Sequence, residues 1–239
     1  MNYFKRVNVI LASVVVLLAL GLAACDQSAP QDSYALGEGA AAARAASSTS
    51  PIVTFPAIEP HDGQSTLTRT PNGVNFRFAT NGLNSGHAYT LWVVIWNAPQ
   101  NCEDGCDGFD LFTETALPDM LYGAGNVVGG SGQATFSGRI QVGDASGSVQ
   151  APLGLAANGL MYPYDAEIHF IVKDHGPKLP AYMPDMIQTL AGGCTDTGIP
   201  VAGAPSPWNA FAGSPYYNEE YGLLGPNTCL DILASVHQP

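Results

Sequence analysis

Ala88-Tyr89-Thr90-Leu91-Trp92-Val93-Val94-Ile95-Trp96-Asn97 is the strongest strand signal in the chain. β-Branched and aromatic residues dominate it, and from Leu91 to Trp96 both faces are apolar. A strand that is apolar on both faces needs cover on both, so it is expected at the centre of a sheet. Trp92 and Trp96 share one face. Two readings are open for that pair: core packing, or a platform on which a ligand stacks.

The stretches around it are also strand-like. Upstream, Ile52-Val53-Thr54-Phe55 reads as an edge strand closed by Pro56. Leu67–Arg69 and Val74–Thr80 flank Pro71-Asn72-Gly73, which predicts a hairpin. In its second arm Val74, Phe76 and Phe78 alternate with Asn75, Arg77 and Ala79, the pattern of a half-buried strand. Downstream, Leu117–Asn126 is a short strand weakened by Gly123 and Gly125, and Ala134–Val142 alternates clearly. Ala166–His175 is a second core strand, with Ile168, Phe170 and Val172 on one face and Glu167, His169, Ile171, Lys173 and His175 on the other. Pro184–Leu190 fits a short helix. In Cys229–Val236, Leu230, Ile232, Ala234 and Val236 fall on one side.

Of the 239 residues, 27 are Gly, 18 are Pro and only 12% are charged, a composition of many turns and long loops. The expected fold is all-β: an antiparallel β-sandwich, jelly-roll-like, with long Pro/Gly-rich loops and at most one or two short helices. No repeat of 20–50 residues is present.

The first two dozen residues are of a different kind. Lys5 and Arg6 precede a nearly unbroken apolar run, Val7–Leu20, which ends in Leu22-Ala23-Ala24-Cys25. A basic head, an apolar stretch and small residues at a cut form a secretory signal. The four residues resemble the lipobox of bacterial lipoproteins. That resemblance implies cleavage before Cys25, a diacylglyceryl group on its sulfur and residence at the cell membrane. Asp26 next to the lipidated Cys implies the periplasmic face of the inner membrane if the source is Gram-negative. An uncleaved membrane span and an ordinary signal peptide are the alternatives; a span needs about 20 apolar residues.

The domain plan is therefore a signal peptide over 1–24, a lipidated Cys and disordered linker over 25–51, and one domain over 52–239. Asp26–Pro51 is rich in Ala, Ser and Gln, and such a segment cannot bury enough surface to offset its ordering entropy. Two of the eight basic residues leave with the signal while all 20 acidic ones stay, so the mature formal charge is −14. So acidic a chain is repelled by nucleic acid, which is excluded as a partner. The expected partners are the bilayer, through acylated Cys25, and an envelope protein or a glycan.

Cys102, Cys106, Cys194 and Cys229 remain, an even number in an exported chain. Local spacing favours Cys102–Cys106, and elimination then favours Cys194–Cys229. Zinc is the rival, although CxxxC followed by two isolated cysteines is not a knuckle pattern.

Sites that could carry chemistry are few. His169 and His175 share a strand face about 20 Å apart, too far for one metal without help from His87 or His237. With loop carboxylates such as Asp110 or Glu114 they define the alternative function, a metal-dependent or acid–base enzyme. Glu103, Asp104, Asp107 and Asp110 crowd one loop but lack the spacing of an EF-hand. GxSxG, HExxH and Walker A motifs are absent. Trp208, Tyr216 and Tyr217, with Phe211 and Tyr221, concentrate aromatics in a Pro/Gly-rich cover that would either bind a ligand or cap a sheet.

The Ala88–Asn97 strand leading to Cys102, the Glu167–Pro177 segment and Gly192-Gly193-Cys194 resemble a group of bacterial exported proteins without an assigned activity. That resemblance supports the domain and implies no mechanism. The expected function is a membrane-anchored envelope lipoprotein whose β domain is a non-catalytic binding or structural module needing no cofactor.

Overall fold

The inward-facing residues form the core that the alternation pattern predicts. In the computed structural model, which describes residues 46–102, 105–151, 154–195 and 221–239, eight antiparallel strands make one sheet. They are β1 (Ala46–Thr54), β2 (Pro60–Thr70), β3 (Gly73–Thr80), β4 (His87–Trp96), β5 (Pro118–Val127), β6 (Ala134–Gln141), β7 (Glu167–Pro177) and β8 (Leu230–His237). The strand order is β5-β4-β7-β8-β1-β2-β3-β6. These strands lie in one compact unit, Ala41–Pro239.

The fold is all-β as expected, but the sheet curls into a nearly closed barrel where a two-layered sandwich was expected. Glycine makes the approach of its two outer strands feasible. A Cβ on Gly138 of β6 would sit 3.2 Å from the Gly123 carbonyl of β5 and 2.7 Å from Phe76 Cζ. Only a residue without a side chain allows that separation. Short 3₁₀ turns at Pro180–Tyr182 and Asp185–Ile187 stand where one helix over 184–190 was expected.

Leu91, Val93 and Ile95 of β4, Phe76 and Phe78 of β3, Phe136 of β6 and Phe170 of β7 fill the barrel interior. Phe76 and Phe170 meet across it with ring centroids 5.1 Å apart. The other face of β4 is apolar too, and a second cluster covers it. Trp92, Val94 and Trp96 pack there with Met120, Leu190, Ala191 and Tyr221. The two-faced reading of this strand is therefore correct: β4 lies between β5 and β7, with a core on each side.

Two expectations about strands need correction. β1 starts at Ala46, ahead of Ile52, and lies between β8 and β2 rather than at an edge. It pairs with β8 through Val53↔Ala234 and Thr54↔Leu233, and just past its end the Phe55 amide donates to the Ile232 carbonyl at 2.8 Å. Pro51 has no N–H to give a ladder, and the β1–β2 register shifts between Ser50 and Ile52, so the β1–β8 backbone ladder does not continue toward Ser50. In β8 the register with β7 shifts between Val172 and Lys173, which breaks the expected face. Leu233 is buried in the core while Leu230 and Val236 are exposed.

The disulfides are Cys102–Cys106 and Cys194–Cys229, as favoured from spacing. With its cysteines four residues apart, the first closes a very short loop. Replacing both by Ser is expected to cost no more than about 2 kcal/mol in a urea titration.

Candidate functional site

The register lays apolar side chains in rows across the outer face of the sheet. Trp92 of β4 stands opposite Ile171 of β7, Ile171 opposite Ala234 of β8, and Ala234 opposite Val53 of β1. The next row runs Val94, His169, Val236. These two rows form the floor of a groove of about 550 Å³. Phe109 and Leu111, from the loop that Cys102–Cys106 ties back, make its far wall. Its size suits a small ligand.

Among the described residues, three titratable side chains line the groove: Asp107, His169 and Asp231. Asp107 Oδ1 accepts from the Phe109 amide at 2.7 Å, a turn within its own loop. His169 Nε2 lies 2.6 Å from Glu167 Oε1, and its ring meets Trp96 edge-on at 4.5 Å. Asp231 pairs with fully buried Lys173 at 3.3 Å; burial pushes its carboxyl up, and the Lys173 charge opposes that. Among the described residues, no Lys or Arg lines the groove. Trp96 is 2% exposed, and its Nε1–H has no acceptor among the described residues. Ser235 Oγ is also unpartnered, but Ser235 stands opposite Phe170, whose side chain faces the barrel interior.

The histidines do not converge. His87 Nδ1 pairs with Asp174 at 3.0 Å, partly exposed. His237 bridges Ser48 and Ser65, both at 2.8 Å, on the inner side. Buried His175 ends a hydrogen-bonded chain. Trp92 Nε1–H donates to Thr90 Oγ1 at 2.9 Å, the Thr90 hydroxyl lies 2.8 Å from His175 Nε2, and His175 Nδ1 lies 2.9 Å from the Gly192 carbonyl. A carbonyl only accepts, so Nδ1 carries the proton and Nε2 accepts from Thr90. Burial lowers the His175 pKa to about 4.

His169 and His175 do share a strand face, but they have no partner in common. Asp110 holds its own loop by accepting from the Asp107 amide at 3.0 Å. Among the described residues, His169 and His175 therefore form no acid–base pair with the loop carboxylates. Among the described residues one metal-competent trio exists, His175, Cys194 and Cys229, within 4.8 Å. Its two sulfurs are bonded to each other and its Nδ1 holds a proton, so the trio is a disulfide beside a histidine.

Cys25, Glu103, Asp104, Trp208, Phe211, Tyr216 and Tyr217 lie outside the described residues. Tyr221 is buried and donates to the Val149 carbonyl at 2.9 Å. Sequence reading found Trp92 and Trp96 but missed Phe109, Leu111 and Val236 as lining. The alternation of β4 and β7 marks the floor; nothing local marks the wall. No protein-family model matches the chain, and no curated protein or solved structure is detectably similar to it.

Proposed function

We propose that this chain is a cell-envelope lipoprotein whose β domain is a non-catalytic binding module, with the outer-face groove as its site. In this reading residues 1–24 export the chain and are removed, and acylated Cys25 holds it to the membrane. In a Gram-negative cell it faces the periplasm from the inner membrane. The observation that carries the binding role is the groove itself: a cavity of about 550 Å³ on two registered rows of mainly apolar side chains, whose lining leaves Ile58, Phe109 and Val236 exposed. Exposed apolar surface is costly to keep, and an apolar pocket with one or two placed polar groups is the usual form of a small-molecule site. The anchor rests on the Leu22–Cys25 motif and the apolar run ahead of it.

Two measurements test the reading. A neutral apolar fluorophore such as N-phenyl-1-naphthylamine should bind the membrane-extracted protein at one site per chain. Ile171→Glu, which puts a charge on the groove floor, should weaken that binding by about tenfold or more while the circular dichroism spectrum is kept. No saturable binding by the parent would end the binding role. For the anchor, mass spectrometry of the mature N-terminal peptide should show Cys25 carrying diacylglycerol, and Cys25→Ser should leave the chain without it. An unmodified Cys25 in the native protein would refute the anchor and leave the groove reading untouched.

A further inference from the structure

One end of the barrel has an apolar rim, and the chain from Cys25 arrives at that same end. β1 opens at Ala46, opposite Arg69 of β2, and the buried Arg69 guanidinium donates to the Pro163 carbonyl at 2.7 Å. Ala46 therefore enters the barrel at the end formed by residues 160–166. Val142, just past β6, bridges Leu160, and the Gly143 amide donates to the Leu160 carbonyl at 2.9 Å. Val142, Met161 and Tyr162 thus stand together at this rim, 42%, 36% and 47% exposed. The backbone beneath them is held. Buried Asn97 accepts from the Met161 amide at 2.7 Å and donates to the Leu117 and Gly159 carbonyls, both at 2.9 Å. The Tyr162 carbonyl accepts from the Ala166 amide at 2.8 Å. Apolar side chains grouped in the open on a fixed backbone mark a contact surface.

We propose that this rim docks onto a neutral, zwitterionic phospholipid surface, with Val142, Met161 and Tyr162 entering the headgroup region. The inference rests on the anchor at Cys25 and is independent of the groove. Twenty residues lie between Cys25 and Ala46. Their covalent length keeps Ala46 within about 70 Å of an acylated sulfur. Docking is then intramolecular, so a patch of three side chains suffices where a free chain would need more. The tether also selects the end. Leu223 and Leu230 are as exposed, but Leu230 pairs with Asp174 toward the opposite end of the barrel. Tyrosine, with an apolar body and a polar tip, suits the headgroup level. In the segments that form the rim, 142–144 and 160–166, the charged residues are Asp144 and Asp165, both exposed. An anionic surface would repel them.

The test uses the full acylated chain in vesicles of zwitterionic phospholipid, doped with a phospholipid that carries a photoactivatable diazirine near the start of one acyl chain. Peptides containing Val142 and Met161–Tyr162 should be labelled at least about fivefold more than those containing Leu230 or Gly82–Gly86 at the opposite end. The double variant Met161→Asp/Tyr162→Asp should cut labelling of the unaltered Val142 peptide by about tenfold. Both residues are exposed, so the unfolding midpoint and binding of the neutral fluorophore should be kept. Replacing about a third of the lipid by an anionic phospholipid should lower rim labelling by about threefold.

Even labelling of the two barrel ends by a chain whose Cys25 is acylated overturns the docking and leaves the anchor standing. Labelling confined to Trp92–Trp96 and Phe109–Phe112 does the same, since it would place lipid in the groove. Rim labelling that rises on anionic vesicles overturns the choice of a neutral surface. An unmodified Cys25 without rim labelling ends both anchor and docking; rim labelling with an unmodified Cys25 ends the anchor and upholds the docking.

Discussion

Acidification from pH 7 to pH 4 is expected to remove several kcal/mol of folding stability, up to about 3 kcal/mol from each of two buried histidines before buried carboxyls offset part of it. His175 and His237 have their pKa lowered to about 4, in both cases mainly by burial. For His175 the Gly192 carbonyl opposes the shift; for His237 the Arg69 and His169 charges add to it. Unfolded, each ring takes up a proton below about pH 6.5; folded, each resists until about pH 4. Between those values the unfolded chain binds more protons, so stability falls as acid is added. The contribution is fully present only above about pH 6.5. Asp119 and Asp231, pushed up by burial, act in the opposite direction and offset part of the loss.

A fall of this size is comparable with the whole stability of a typical domain, about 5–15 kcal/mol. Urea titrations at pH 7, 6, 5 and 4.5 should show the midpoint dropping steeply. His175→Gln and His237→Gln should each flatten the pH dependence by about half, whatever they do to stability at pH 7. If both variants keep the parent's slope, the two rings are not the source.

The strands were legible because burial on one side of a sheet writes a period of two into the chain. β3, β6 and β7 follow that period, and β4 departs from it in the informative way, apolar on both faces under two cores. The disulfides were legible because four cysteines allow few pairings. Three things were not legible, each for a physical reason. Closure depends on Gly123 and Gly138 meeting between strands that are distant in order, and in sequence Gly123 reads only as a weak spot in β5. The β8 face depends on a register shift against β7, which an unbroken Leu230, Ile232, Ala234, Val236 alternation conceals.

The groove shows a third limit. Alternation marks Trp92 and Trp96 as partners on one face but does not say whether that face is filled. Its far wall, Phe109 and Leu111, comes from a loop whose path is set by a disulfide and not by periodicity. The histidines mislead for the same reason. His169 and His175 do share a face, but a site needs partners from other elements, and these are Glu167 for one and Thr90 and Gly192 for the other.

Arg69 is the clearest residue that sequence reading passed over, and its removal should be the costliest single change in the barrel. It follows Ser65 and Leu67 on the inward face of β2, where the period of two demands an apolar side chain; it is 4% exposed. Its guanidinium reaches the barrel end and donates to four carbonyls: Pro163 at 2.7 Å, Ala166 at 2.8 Å, His237 at 3.2 Å and Gln238 at 2.9 Å. Burial lowers its pKa, and the Asp165 carboxylate opposes that. The carbonyls come from the approach to β7 and from the end of β8, so one side chain ties three parts of the barrel together. It also fixes the end of the strand that carries Val236 to the groove.

Arg69→Met fills similar volume but leaves four carbonyls without a donor, so it should cost on the order of 5 kcal/mol. Arg69→Lys should recover about half of that loss, since an ammonium offers at most three donors and lacks the planar fork. Hydrogen exchange should quicken first at the end of β8, and binding of the neutral fluorophore should weaken with it. A loss under about 1 kcal/mol in Arg69→Met would mean that the four carbonyls find water instead, and that the barrel end is open rather than capped.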